Sequence, residues 1–496
     1  MGKPTGFLEY PRLEPVRQPS ATQGLNFAEF MYLFNPSDAR TQAARCMDCG
    51  IPFCHAGIQL DGASVGCPLG NMVPEINDLT YRGKYTEAYR RLRLTHPFPE
   101  FTGRICPAPC EGSCTLGEHE QPVAIKAIER FLDDYAAAHP RQFGHLDQPE
   151  ARTDRKVAVI GSGPAGLAAA YYLNALGEQV TVFEGADRPG GLLMYGVPAM
   201  KLGKDVVLRV VQRLEAAGIE FKLESPVGDT VDAEWLLEQF DALVLCTGAP
   251  LPRMPNIEGG TLKGFYPAML YLTYATKRLL DPHFPAQAEL EATGKDVFVV
   301  GNGDTATDCV ATALRQGARS LTQLYYRNKP PIGRGPRNPW PLYPRVLKTD
   351  YGQQEAIALF GCDPREYARN IIAAKGDANG SVESVLVADV EWHKDAEGLL
   401  RPHCLPADAR WRPAQLVLIA TGFAGPDRRL LKLLGLETDV RGNVATQRSD
   451  SYATSRRRVF VAGDAHRGSS LVVWALKEGR DAARQCHQYL NESAGH

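Results

Sequence analysis

Short apolar, often β-branched runs recur along this chain, and most close on a glycine turn. They are Lys156–Ile160 before Gly161, Leu243–Gly248, Asp296–Val300 before Gly301, Leu416–Gly422, and Val459–Ala462 before Gly463. Gln179–Phe183 and Leu321–Tyr326 are two more. Runs of this length without polar alternation predict strands buried on both faces, as in a parallel sheet covered by helices. Upstream the period changes: apolar residues recur at helical spacing over Val73–Leu94 and Val123–Ala138, which predicts helices. His139–Arg155 is polar, carries Pro140 and Pro149 and holds no period, so it reads as a linker. The fold implied is α/β with an N-terminal mainly helical domain and two parallel-sheet domains, the second inserted in the first. The boundaries are 1–150 for the helical domain, 151–254 and 422–496 for the first sheet domain, and 255–421 for the second.

Chemistry enters at the glycine turns. Gly161-Ser162-Gly163-Pro164-Ala165-Gly166 follows a strand and opens an Ala-rich helix, and the next strand ends in Glu184. Glycines at that spacing allow a tight turn and bring backbone N–H groups to a pyrophosphate, while the acid accepts hydrogen bonds from a ribose. The pattern repeats at Gly301-Asn302-Gly303-Asp304-Thr305-Ala306, where Ala306 stands in the third glycine's place and Arg327 ends the following strand. A cation there pairs with a 2′-phosphate that an acid would repel. Arg327, helped by Lys329, Arg334 or Arg337, therefore favours NADPH over NADH. Gly248 and Gly422 end two further strands, and Gly463-Asp464 precedes a final helix where an acid can hold sugar or ribityl hydroxyls. Both sheet domains therefore read as Rossmann-like dinucleotide-binding domains.

Seven of the twelve cysteines lie between Cys46 and Cys114: Cys46, Cys49, Cys54, Cys67, Cys106, Cys110 and Cys114. Soft thiolates at short spacings predict iron–sulfur ligation. Two four-iron clusters need eight ligands. Seven cysteines leave one position for a carboxylate, imidazole or amide, unless one cluster is three-iron or Cys67 is a bystander. The other five, Cys246, Cys309, Cys362, Cys404 and Cys486, are isolated, so buried inert thiols are expected and a dithiol mechanism is not.

Length, charge and hydropathy narrow the class. At 496 residues the chain exceeds one hydrophobic core. A net charge of −2 gives no basic field for nucleic acid, and no uninterrupted apolar stretch predicts a membrane span. Free cysteines without a targeting segment predict a cytoplasmic protein.

GSGPAG with Glu184, GGLLMYGVP at Gly190–Pro198, GNGDTA, the two ATG-like turns and GD before WALKEGR resemble the flavoproteins with two dinucleotide-binding domains. In that family the first site holds FAD and the second NAD(P)H. The resemblance adds Gly191 and Leu192 to the flavin site and implies a mechanism without a catalytic acid or base. With RCMDCGIPFCH, GCPLGN and FPEFTGRICPAPCEGSC, the whole chain resembles the small (beta) subunits of bacterial NADPH-dependent glutamate synthases. The same module forms the N-terminal part of dihydropyrimidine dehydrogenase. The resemblance implies two 4Fe-4S clusters, one on Cys46, Cys49, Cys54 and Cys114, the other on Cys67, Cys106, Cys110 and Glu129. At the last of these positions the related enzyme has glutamine. It also implies a partner, the glutamate synthase large (alpha) subunit, carrying FMN and its own cluster and making L-glutamate from L-glutamine and 2-oxoglutarate. Another acceptor, such as ferredoxin or a pyrimidine, is the alternative for a module of this build.

Overall fold

Two five-stranded parallel sheets organise the computed structural model, which describes residues 2–14, 25–31, 33–143, 148–149, 151–395, 397–448 and 450–493. The first sheet runs Val459–Val461, Ala242–Leu245, Lys156–Ile160, Gln179–Phe183, Glu220–Lys222. The second runs Arg365–Tyr367, Ser320–Tyr325, Asp296–Val300, Leu416–Ile419, Phe265–Pro267. The last strand of the first sheet follows the whole second sheet in sequence, so one dinucleotide-binding unit is nested in the other. The two crossings lie side by side, Leu251–Pro252 pairing antiparallel with Phe423–Gly425.

Central strands such as Lys156–Ile160 and Asp296–Val300 are buried along four of their five residues, as their unbroken apolar pattern requires. The sequence pattern does not reveal an antiparallel meander, Arg369–Gly376, Val382–Lys394 and Leu400–Pro413, set between the last two strands of the second unit in chain order.

The helical domain corrects one expectation. Val73–Leu94 is two helices, Val73–Tyr81 and Tyr85–Arg93, separated at Gly83 with φ 75°. Lys84 N donates to Leu79 O across the break. A left-handed glycine ends a helix readily, yet both segments bury their apolar faces in one core, so the spacing reads as continuous. The second predicted helix begins at Ile125 and ends at Ala138. One hydrophobic cluster runs from Phe98, Phe101 and Ile128 into Val157, Leu167 and Leu476 of the first dinucleotide unit. The helical domain is thus packed on that unit. Within the predicted linker, Pro140–Gln142 forms a 3-10 turn and Phe143 is buried, while 144–147 and 150 lie outside the described residues. No helix among the described residues is long and apolar enough to cross a membrane.

Candidate functional site

A cavity of about 490 Å³ opens above the first sheet, lined by Gly161, Gly163, Pro164, Ala165, Glu184, Gly191, Leu192, Gly248 and Asp464 among others. That volume suits a cofactor. Gly161 turns at φ 98°, and a Cβ there would stand 2.6 Å from Cys246 O. Gly166 lies behind the loop, where a Cβ would stand 1.9 Å from Gly161 O, whereas a Cβ on Gly163 would meet nothing. The loop is tight on its protein side and open on its cavity side, as close backbone approach to a phosphate requires.

Glu184 is fixed at the rim: Oε2 accepts from Ser162 N at 3.0 Å and Oε1 from Ala186 N at 2.8 Å. Asp464 begins a short helix, and burial pushes its carboxyl up to about 6 against the N–H of Ser470. Gly463 lies outside the lining, donating its N–H to the buried Glu478 at 2.9 Å. Glu478 also accepts from Arg467 Nε at 2.6 Å, so the Glu of WALKEGR organises this turn, a role its sequence context did not expose.

A second cavity of about 420 Å³ is lined by Gly301, Gly303, Thr305 and Gly422. Ala306 is fully buried behind this loop, and Asp304 turns toward the first cavity. Met269, Thr305 and Phe423 line both spaces. Arg327 and Lys329 are exposed beyond the second lining. Arg334 donates to Leu342 O at 2.6 Å and to Gly112 O at 2.8 Å, tying its loop to the helical domain.

The cysteines fall into two groups. Cys46, Cys49, Cys54 and Cys114 surround one small internal space, and Cys67, Cys106, Cys110 and Glu129 surround another. Burial pushes the Cys67 and Cys106 thiols up to about 12 and raises Cys46, Cys54, Cys110 and Cys114 as well. Such thiols become thiolate ligands when metal replaces their protons. Among the described residues no three His, Cys, Asp or Glu side chains converge on a single metal ion; soft thiolates gathered in this way suit an iron–sulfur centre instead.

Burial raises the Glu129 carboxyl to about 7, against a hydrogen bond from Asn71. Ile105 and Pro107, on either side of Cys106, line the flavin-sized cavity, as does Val472, while Val473 borders the Cys67 group. The second group is thus the one next to that cavity. Of the isolated cysteines, Cys246, Cys309 and Cys486 are buried as expected, but Cys362 is exposed and Cys404 half-buried. Cys362 follows the Gly361 cap of a surface helix, and Cys404 sits on the outer strand of the meander.

Comparison with known proteins agrees with this geometry. The family described as dihydropyrimidine dehydrogenase domain II, 4Fe-4S cluster, matches residues 23–141, and pyridine nucleotide-disulphide oxidoreductase matches 155–479. The chain is 46% identical to the glutamate synthase [NADPH] small chain of Bacillus subtilis over all of its own length and 99% of that protein's. It is 41% identical to glutamate synthase [NADH] of Schizosaccharomyces pombe over 98% of itself and 23% of that longer chain. Mycobacterium tuberculosis FprA in complex with NADPH shares the fold at a TM-score of 0.53 and 18% identity, over 69% of this chain and 86% of its own. With its 4Fe-4S domain and nested dinucleotide-binding units, the chain belongs to the glutamate synthase small-chain family of oxidoreductases.

Proposed function

We propose that this chain is the electron-input subunit of a cytoplasmic glutamate synthase. It oxidises NADPH at FAD and passes electrons through two 4Fe-4S clusters to a large subunit that makes L-glutamate from L-glutamine and 2-oxoglutarate. That subunit carries FMN and its own cluster. The observation that carries this reading is the junction of the two cavities at Met269, Thr305 and Phe423, with Cys106 adjoining the first. Flavin can accept the two electrons of one hydride and release them singly, which suits it to stand between a nicotinamide and iron–sulfur centres.

The chain's own residues do the positioning. Gly161, Gly163 and the helix starting at Pro164 hold the FAD pyrophosphate, Glu184 its ribose and Asp464 the ribityl chain. Gly301, Gly303 and the helix starting at Asp304 hold NADPH, with Arg327 and Lys329 on the 2′-phosphate. Met269 and Phe423 exclude water where the two cofactors meet. Residues 1–150, 151–254 with 422–496, and 255–421 are the corresponding domains. The S. pombe relative, in which this length is part of a longer glutamate synthase, supports a large-subunit partner.

The test is anaerobic purification with flavin and iron counted, followed by NADPH titration and addition of the large subunit. One FAD, about eight irons, bleaching by NADPH and glutamate formation on reconstitution are expected. Bleaching without glutamate formation would redirect the chain to another acceptor. A chain holding zinc and no flavin would end the proposal.

A further inference from the structure

The meander of the NADPH unit is anchored at the residue that ends the strand Ser320–Tyr325. Ala368, at the turn into the meander, has φ 52°, an uncommon conformation for alanine. In that conformation its N–H donates to Arg327 O at 2.9 Å, and its carbonyl accepts from Val390 N at 2.8 Å. Two residues further along that strand, Trp392 Nε1 donates to Tyr326 O at 3.3 Å. The successive carbonyls of Tyr326 and Arg327 are thereby both tied to the meander.

The side chains complete the arrangement. The Arg327 guanidinium carbon lies 5.0 Å from the Trp392 ring centroid and 5.6 Å from that of Tyr326. The two rings are 5.7 Å apart and inclined at 33°. Among the described residues no carboxylate forms an ion pair with Arg327, and Tyr326 lines the second dinucleotide cavity. A free arginine samples many rotamers, and a ligand must offset the loss of that freedom to fix it. Arg327 also makes a side-chain hydrogen bond to Tyr326, and the indole face holds the guanidinium by cation–π attraction while its remaining N–H donors stay available.

We propose that Trp392 is a positioning residue for coenzyme selection, preorganising Arg327 to receive the 2′-phosphate of NADPH. The inference rests on Arg327 being the 2′-phosphate ligand, and deepens that reading by giving the meander a role in specificity. Trp392 does not touch the coenzyme; it acts through Arg327.

The experiment measures binding of 2′,5′-ADP and of 5′-AMP, which lacks the 2′-phosphate, to the flavin-loaded full chain by calorimetry. The proteins are wild type, Arg327→Gln, Trp392→Leu, Trp392→Phe and the double variant Arg327→Gln/Trp392→Leu. Trp392→Leu is expected to weaken 2′,5′-ADP about two- to fivefold, the size of an exposed cation–π contact, and to leave 5′-AMP unchanged. In steady state it raises KM for NADPH with kcat and KM for NADH unaltered. Trp392→Phe restores part of the loss. In the Arg327→Gln background, Trp392→Leu has no further effect. Equal weakening of both nucleotides, or a full additional loss without Arg327, would overturn the role of Trp392 while the 2′-phosphate reading stands. Unchanged 2′,5′-ADP binding in Arg327→Gln would remove that reading and the inference with it.

Discussion

Asn71 Nδ2 donates to Glu129 Oε1 at 2.8 Å inside the space bordered by Cys67, Cys106 and Cys110. Asn71 is itself oriented by Thr95, whose hydroxyl donates to its Oδ1 at 2.8 Å. Both Asn71 and Glu129 are buried. A buried carboxylate is costly unless hydrogen-bonded or coordinated, and this one is held with one oxygen committed.

If Glu129 completes the second cluster, Glu129→Ala removes about half of the iron and one EPR signal, leaving that of the Cys46 group. Glu129→Gln keeps a carbonyl donor in place and retains the iron. Iron analysis and EPR of anaerobically prepared protein read both outcomes. Full iron with an unchanged spectrum in Glu129→Ala would show that another group ligates.

The flavin cavity depends on a helix far away in sequence. Gly479, in the C-terminal helix Val472–Ser493, faces the first phosphate-loop helix so closely that a Cβ would stand 2.2 Å from Ala165 O. Backbone on the other side cannot move aside as a flexible side chain would. Gly479→Ala is expected to cost about 1–3 kcal/mol through overpacking, seen as a lower denaturation midpoint, and to weaken FAD retention because Ala165 lines the cavity. Gly442→Ala, on an outer turn at φ 84°, serves as the comparison. It pays backbone strain without touching the flavin helix, so its flavin content stays full.

Much of this was legible in the sequence because phosphate binding restricts the backbone. Strand, glycine turn and helix must be contiguous, so Gly161, Gly163 and Gly301 identify themselves by spacing. The cysteines announced their chemistry by spacing, whereas their partition came only through the family resemblance. Cys114 joins a group otherwise drawn from Cys46–Cys54, an interleaving set by tertiary packing that short-range spacing does not encode. Trp392 and Asn71 gave no signal at all. Each acts on a residue tens of positions away, and nothing local distinguishes a tryptophan that holds an arginine from one that fills a core. Gly83 illustrates the converse: its break was visible, but apolar spacing continued across it because both helices face the same core.

Cys362 separates accessible thiols from ligands. It is exposed, whereas all seven N-terminal cysteines are buried or half-buried. A maleimide should label Cys362 first in the native protein, and Cys362→Ser should abolish that fast phase while leaving flavin, iron and NADPH bleaching intact. Loss of iron in the serine variant would contradict the assignment of the thiols.

The buried His96 makes stability depend on pH in a defined direction. Its Nδ1 accepts from Phe98 N at 3.2 Å, so its proton belongs on Nε2, which meets Thr102 Oγ1 at 2.6 Å. Burial, with Arg93 and Arg480 nearby, lowers its pKa from 6.5 to about 3. Protonation would set a second N–H against that of Phe98. Between those values the unfolded chain binds a proton that the folded chain refuses, so the folded state loses stability as pH falls below about 6.5, by up to about 1.4 kcal/mol per pH unit for one proton. Above pH 6.5 the contribution is complete and flat. Chemical denaturation of wild type and His96→Gln at pH 5.0, 6.0 and 7.5 isolates it: the stability difference between the two should shrink toward acid pH. A difference that is constant with pH would mean that His96 is protonated equally in both states.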